Sequence, residues 1–166
     1  MKQLLLVRHA KSSWSNPSLE DIDRPLNKRG LRDAPYMAAY CRSQDLVVDA
    51  LISSPANRAY TTASYFQTEF QNEIQYFEKE TDLYFGSETD WMHLINELDE
   101  AYKLPAFFSH NPTITYFSNM FAKEPLANVV TCGVIHLVSS VEKWKDLDYS
   151  NTYVRNFYFP KVVREL

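Results

Sequence analysis

The sequence predicts an α/β protein, a three-layer sandwich with a mostly parallel central sheet flanked by helices. Two observations carry that expectation. Strand-like runs alternate with helix-like segments along the chain, the pattern of βαβ units. The first run, residues 4–7 (LLLV), is apolar with no polar alternation, which suits a strand buried on both faces. Arg8 and His9 follow at once, where such a strand reaches the surface. Ligands of open α/β sheets collect beyond the carboxyl ends of the strands, so this pair stands where a site is expected. Taken alone, it fits an ordinary strand end equally well.

The 166 residues are 45% hydrophobic and 14% aromatic, enough for one domain, residues 1–166, with a substantial core. The net charge is −4 and no long basic run is present, which argues against nucleic acid as a partner. Cys41 and Cys132 are spaced for neither a disulfide framework nor a zinc site and read as core thiols in a reducing compartment. The first residues make no convincing signal peptide and no stretch is long enough to span a membrane. A soluble, cytoplasmic protein without a membrane partner is expected.

After the opening strand comes a polar loop, residues 11–25, of a length that is often functional. Asn27 can cap a helix running to about Arg42, with Leu31, Ala34, Ala38 and Cys41 at spacings of three and four. Pro35 should kink that helix or delay its start. Residues 48–53 (VDALIS) form a second strand, and Ser54-Pro55 turns the chain into a helix over 56–70. Residues 74–77 are a weak third strand, and 81–87 a loop. Ser87 caps a helix over 88–100, with Trp91, Leu94, Ile95 and Leu98 on its apolar stripe. Residues 105–109 (PAFFS) are the fourth strand, and Pro112 opens a helix over 113–121. Residues 134–138 and 156–159 close the sheet as strands that are antiparallel or at an edge.

Parallel strands bring their carboxyl ends to one rim. The first ends in Arg8-His9, the second in Ser53-Ser54-Pro55 with Arg58 a turn beyond, the fourth in Ser109-His110-Asn111-Pro112. Two arginines and two histidines therefore converge, which suits a phosphoryl group. Guanidiniums offer fork-shaped donors to phosphate, and a neutral imidazole is a competent nucleophile. A second imidazole can steady the equatorial oxygens as charge builds. His93 and His136 fall inside a helix and a strand and read as structural.

These residues resemble the histidine phosphatase superfamily, with its phosphoglycerate mutase-like fold, and within it the SixA-type phosphohistidine phosphatases. The resemblance rests on Arg8-His9-Ala10, on SSPANRAYTTA over 53–63, on SHNP over 109–112, and on RHAKSSW and DIDRPLNKRG near the start. It runs from residue 3 to about residue 140. It implies a phosphatase without metal or cofactor, in which His9 accepts the phosphoryl group and Arg8, Arg58 and His110 hold its oxygens. The resemblance also implies a carboxylic acid that protonates the leaving group and is held protonated near neutral pH. The candidates are Asp21, three residues before Arg24-Pro25-Leu26, and Asp82, where many members carry a glutamate; Asp21 is favoured. Arg24 either binds substrate or pairs with Asp21 or Asp23. Ser109 stands where Gly is usual, and Ser15 where mutase-like members have Asn, so that phosphate contact is not carried over.

The implied substrate is phosphohistidine on a protein or a small phosphomonoester. A mutase is disfavoured because little chain is left for a substrate-covering subdomain. A non-catalytic phosphoryl-binding module is disfavoured because no clamp residue is missing. With so little sequence for a lid apart from residues 11–25, the pocket should be shallow and open.

Overall fold

The computed structural model describes residues 1–165. Six strands make one sheet: β1 (Lys2–Arg8), β2 (Ala50–Ser53), β3 (Tyr76–Lys79), β4 (Pro105–Ser109), β5 (Val134–Ser139) and β6 (Thr152–Tyr158), in the order β3-β2-β4-β1-β5-β6. The first four strands run parallel, and β5 and β6 are antiparallel to their neighbours. β1 lies between β4 and β5, which explains its unbroken apolar run. Its side chains alternate between two cores. Leu5 and Val7 pack with Phe108 under α1 (Lys28–Ser43) and α2 (Asn57–Glu69). Leu4 and Leu6 pack with Phe107, Trp91 and Phe117 under α4 (Glu88–Asn96) and α5 (Thr113–Asn119). Two shorter helices, α3 (Asp82–Phe85) and α6 (Pro160–Arg164), complete the layers.

Register places the strand ends level. Arg8 pairs with Ser109 and Ser53 with Phe108, so β1, β2 and β4 stop at one rim. Asn27 caps α1 through Gly30 N–H at 2.9 Å, as expected. Gly30 is needed there, because a Cβ would lie 2.2 Å from the Lys11 carbonyl oxygen. That close approach seats the base of the 11–25 loop on the first turn of α1, where the Lys11 carbonyl also accepts from Asn27 N–H at 2.9 Å.

Several boundaries differ from the sequence expectation. α1 passes through Pro35 without delay; the carbonyl that Pro35 cannot satisfy belongs to Leu31, which is exposed rather than on the buried stripe. The segment expected as a loop over 81–87 contains α3. α4 stops at Asn96, whose side-chain amide donates to the Trp144 and Leu147 carbonyls and fastens the helix end. α5 stops at Asn119, whose amide makes two bonds to Leu126. β3 sits two residues later than expected, and β6 begins at Thr152, four residues earlier. β5 is antiparallel but internal, and β6 is the edge.

Candidate active site

His9 leaves β1 held on both sides by main chain. Its N–H donates to the Ser109 carbonyl at 3.0 Å, and its carbonyl accepts from Cys132 N–H at 3.0 Å. The ring is buried, and Nδ1–H donates to the Ala10 carbonyl at 2.7 Å. A carbonyl can only accept, so the proton sits on Nδ1 and Nε2 keeps its lone pair. Burial lowers the imidazole pKa to about 3; Arg58, Arg8 and Arg24 push the same way, and the Ala10 bond only partly opposes them. The ring is therefore neutral near pH 7, the state a nucleophile requires.

His110 lies beside it, with ring centroids 5.1 Å apart. Its Nε2 shares a 2.7 Å hydrogen bond with Ser54 Oγ, while Nδ1 is buried without a partner. Burial, then His9 and Arg58, lower its pKa to about 2. Arg8 anchors one amino group on the Val129 carbonyl at 2.9 Å and leaves Nε unpaired. Arg58 lies in the first turn of α2, with both amino groups on Asp21: one on the main-chain carbonyl at 2.6 Å, one on Oδ2 at 2.9 Å. Arg8, His9, Arg58 and His110 thus line one cavity of about 160 Å³, together with Lys11, Ser12, Trp14, Arg24, Asn111 and Thr131. A roomier cleft of about 600 Å³, lined by Gln3, Asp49, Glu73 and Lys103 among others, has no arginine or imidazole in its walls.

The two candidate acids are placed differently. Asp82 is exposed and is not among the cavity's lining residues. Asp21, in the 3-10 turn Asp21–Asp23, does not line the cavity either, but it grips two residues that do. Arg24 donates to Oδ1 at 2.9 Å, Arg58 to Oδ2, and Tyr84 Oη–H to Oδ2 at 2.7 Å. Partial burial favours the neutral acid, but those three hydrogen bonds outweigh it and hold Asp21 far below the ordinary carboxylate range. The expectation of a carboxyl held protonated is thus corrected for Asp21: it is an ionised partner of arginines.

Arg24 is mainly a loop organiser. Besides Asp21 it bonds Ser12 Oγ at 2.6 Å and the Ser13 carbonyl at 3.1 Å, and Trp14 stacks on its guanidinium at 3.2 Å. Ser109 does more than fill the place of a glycine, since its Oγ–H donates to the Leu83 carbonyl at 2.5 Å and ties α3 to the rim. Tyr84, Ser54, Val129 and Thr131 were not expected at the site. Only Ser54 had a sequence signal, as a hydroxyl at a strand's carboxyl end. His136 is buried and shares a bond with Gln3 Oε1, and His93 is exposed, so neither approaches the cavity. Among the described residues, no group of three or more His, Cys, Asp or Glu is placed to hold a metal ion, and no helix is long and apolar enough to cross a membrane.

Residues 4–132 match the histidine phosphatase superfamily (branch 1), and the chain belongs to that family. Among curated proteins, an uncharacterized chloroplastic protein of Arabidopsis thaliana is 40% identical over 68 residues, 41% of this chain; the match spans only 31% of that relative's length. Among solved structures, a protein of Agrobacterium tumefaciens assigned as the phosphohistidine phosphatase SixA superposes with a TM-score of 0.78 at 25% identity, covering 96% of this chain and 98% of that one. The protein histidine phosphatase SixA complexed with tungstate superposes with a TM-score of 0.76 at 20% identity, covering 97% and 99%. The fold is therefore the phosphoglycerate mutase-like one, and its likeness is to SixA-type structures.

Proposed function

We propose that this chain is a phosphohydrolase that passes the phosphoryl group through His9, acting on phosphohistidine carried by a protein. The observation that carries the reading is His9 itself: a buried neutral imidazole with Nδ1–H tied to the Ala10 carbonyl and Nε2 free beside two guanidiniums. Nε2 attacks phosphorus in line, and the bond from phosphorus to the leaving group breaks. Arg8, Arg58 and His110 hold the equatorial oxygens. The leaving group takes a proton from Asp21. Water then attacks phospho-His9 and returns a proton to Asp21 as inorganic phosphate forms. Asp21 can carry that proton because a phosphoryl dianion drawing Arg58 away puts like charge beside the carboxylate and raises its pKa.

The small cavity supports a phosphoryl group presented on a larger body. Residues 11–25 supply Lys11, Ser12, Trp14 and Arg24 to its wall. A brief reaction with a labelled phosphodonor should leave acid-labile, alkali-stable phosphate on His9. His9→Ala should remove label and turnover together. Normal turnover by that variant would end the mechanism. A sugar phosphate with a higher kcat/KM than every phosphohistidine protein tried would move the substrate to a small phosphomonoester.

A further inference from the structure

Tyr84 joins two parts of the site that the chain brings from far apart. Its hydroxyl donates to Asp21 Oδ2, and its ring stands edge-on to His110 with centroids 5.3 Å apart. It rides on α3, and α3 is firmly fixed. Leu83 is buried in the core, the Leu83 carbonyl accepts from Ser109, and the Asp82 carbonyl accepts from Trp91 Nε1 at 2.9 Å. Asp21, by contrast, sits on the long loop, and its other partners are the side chains of Arg24 and Arg58. Asp21 accepts one N–H from each Arg58 amino group. Three of the five guanidinium N–H donors remain, so a phosphoryl group that grips Arg58 shares it with Asp21 and competes with the carboxylate for its charge.

We propose that Tyr84 is a positioning residue: its hydroxyl holds the Asp21 carboxylate in place beside the cavity when a phosphoryl group competes for Arg58. Without the hydroxyl, Oδ2 has no partner that stays still. Asp21 then either follows Arg58, competing with the phosphoryl oxygens, or leaves with the loop. Both outcomes spoil proton delivery to the leaving group. Tyr84 suits this task because burial and the neighbouring Asp21 charge raise its own pKa, so the O–H remains a donor across the working pH range. The inference rests on Asp21 as the proton donor of the proposed reaction.

The test compares the wild type, Tyr84→Phe, Asp21→Asn and the double variant on p-nitrophenyl phosphate and on an alkyl phosphate. Phenylalanine keeps the ring against His110 and removes only the hydroxyl. Tyr84→Phe should lose about tenfold in kcat on the alkyl phosphate, the worth of one hydrogen bond to a charged group. On p-nitrophenyl phosphate, whose leaving group needs no proton, the loss should be small. In the Asp21→Asn background the substitution should add almost nothing, because the two act as a unit. Equal losses on both substrates, or losses that multiply fully in the double variant, would show a merely structural tyrosine and overturn the proposal. An Asp21→Asn variant indifferent to the leaving group would overturn it too. If the wild type turned over neither ester nor any phosphohistidine protein, the phosphatase reading itself would fall, and this inference with it.

Discussion

Arg58, the proposed phosphoryl clamp, already holds an anion in Asp21. Its pairing with Asp21 gives two predictions of opposite sign. Asp21→Asn should bind vanadate or inorganic phosphate more tightly, by several-fold, because an ionic competitor becomes a neutral one. The same variant should turn over poor leaving groups more slowly. Weaker oxyanion binding by Asp21→Asn, read from inhibition constants, would contradict this account. Arg58→Ala should lose about 3 kcal/mol of transition-state stabilisation, and Arg58→Lys should restore only part, since an ammonium cannot make the two-pronged contact. Full restoration by lysine would mean that charge alone counts. Arg8, His9, Arg58 and His110 were legible as neighbours because each follows a strand end in a local pattern, and strand ends meet by topology. Tyr84 was not legible. Its place depends on how α3 packs against Ser109 and Trp91, contacts between residues distant in sequence. The state of Asp21 was likewise beyond reach, because it is decided by partners at positions 24, 58 and 84 acting together.

At the scale of elements, periodicity revealed the long helices and missed α3, since four residues are too few to show a period. It could not foresee that α1 would carry a buried acid. Asp33 is 1% exposed and pairs with Arg29, Arg32 and, from α6, Arg164. Burial works against its charge, yet the hydrogen bonds from Arg164 and Arg32 hold its pKa below the ordinary value. Arg164 is thus an electrostatic latch for the last helix, beside Val163 in the core. Arg164→Ala should cost about 1–3 kcal/mol, the range for losing a charged hydrogen-bond partner, with Arg29 and Arg32 keeping the loss toward the low end. Urea unfolding measures it, and an unchanged midpoint would show that α6 docks through Val163 alone. Gly30→Ala tests a different seam. Its Cβ meets backbone, not a yielding side chain, so α1 or the 11–25 loop must shift. A drop in phosphate affinity larger than the drop in stability would place that shift in the loop.

Across the whole molecule, two buried imidazoles, His9 and His136, and the half-buried His110 are held in neutral form. Burial lowers His9 to about 3, His110 to about 2 and His136 to about 4, all below the ordinary 6.5. The unfolded chain takes up these protons near the ordinary value, and the folded chain only at far lower pH. Folding stability should therefore be full above pH 6.5 and fall as pH drops through the window toward 3. At about pH 5 each such imidazole removes about 2 kcal/mol, at about 1.4 kcal/mol per unit. Denaturant titrations at neutral and acidic pH check this, and His136→Gln should flatten the slope without touching the cavity. Equal stability at both pH values would contradict the burial account. The parallel rim of the sheet was legible from alternating elements. Strand order was not, because nothing local to residues 134–138, read as antiparallel or at an edge, says that they pair with β1. That arrangement has a practical consequence. With Ser109 on one flank of His9 and Cys132 on the other, the proposed nucleophile is mounted on the sheet and not on the 11–25 loop. Phosphoryl acceptance by His9 and substrate selection by the loop are then separable parts of the proposed reaction. An engineer could exchange loop residues 14–20, outside the Asp21–Arg58 pairing, for those of another member and expect a new substrate range. His9 would still accept phosphate, and the rate of its labelling by a small phosphodonor would report whether the mounting had survived the exchange.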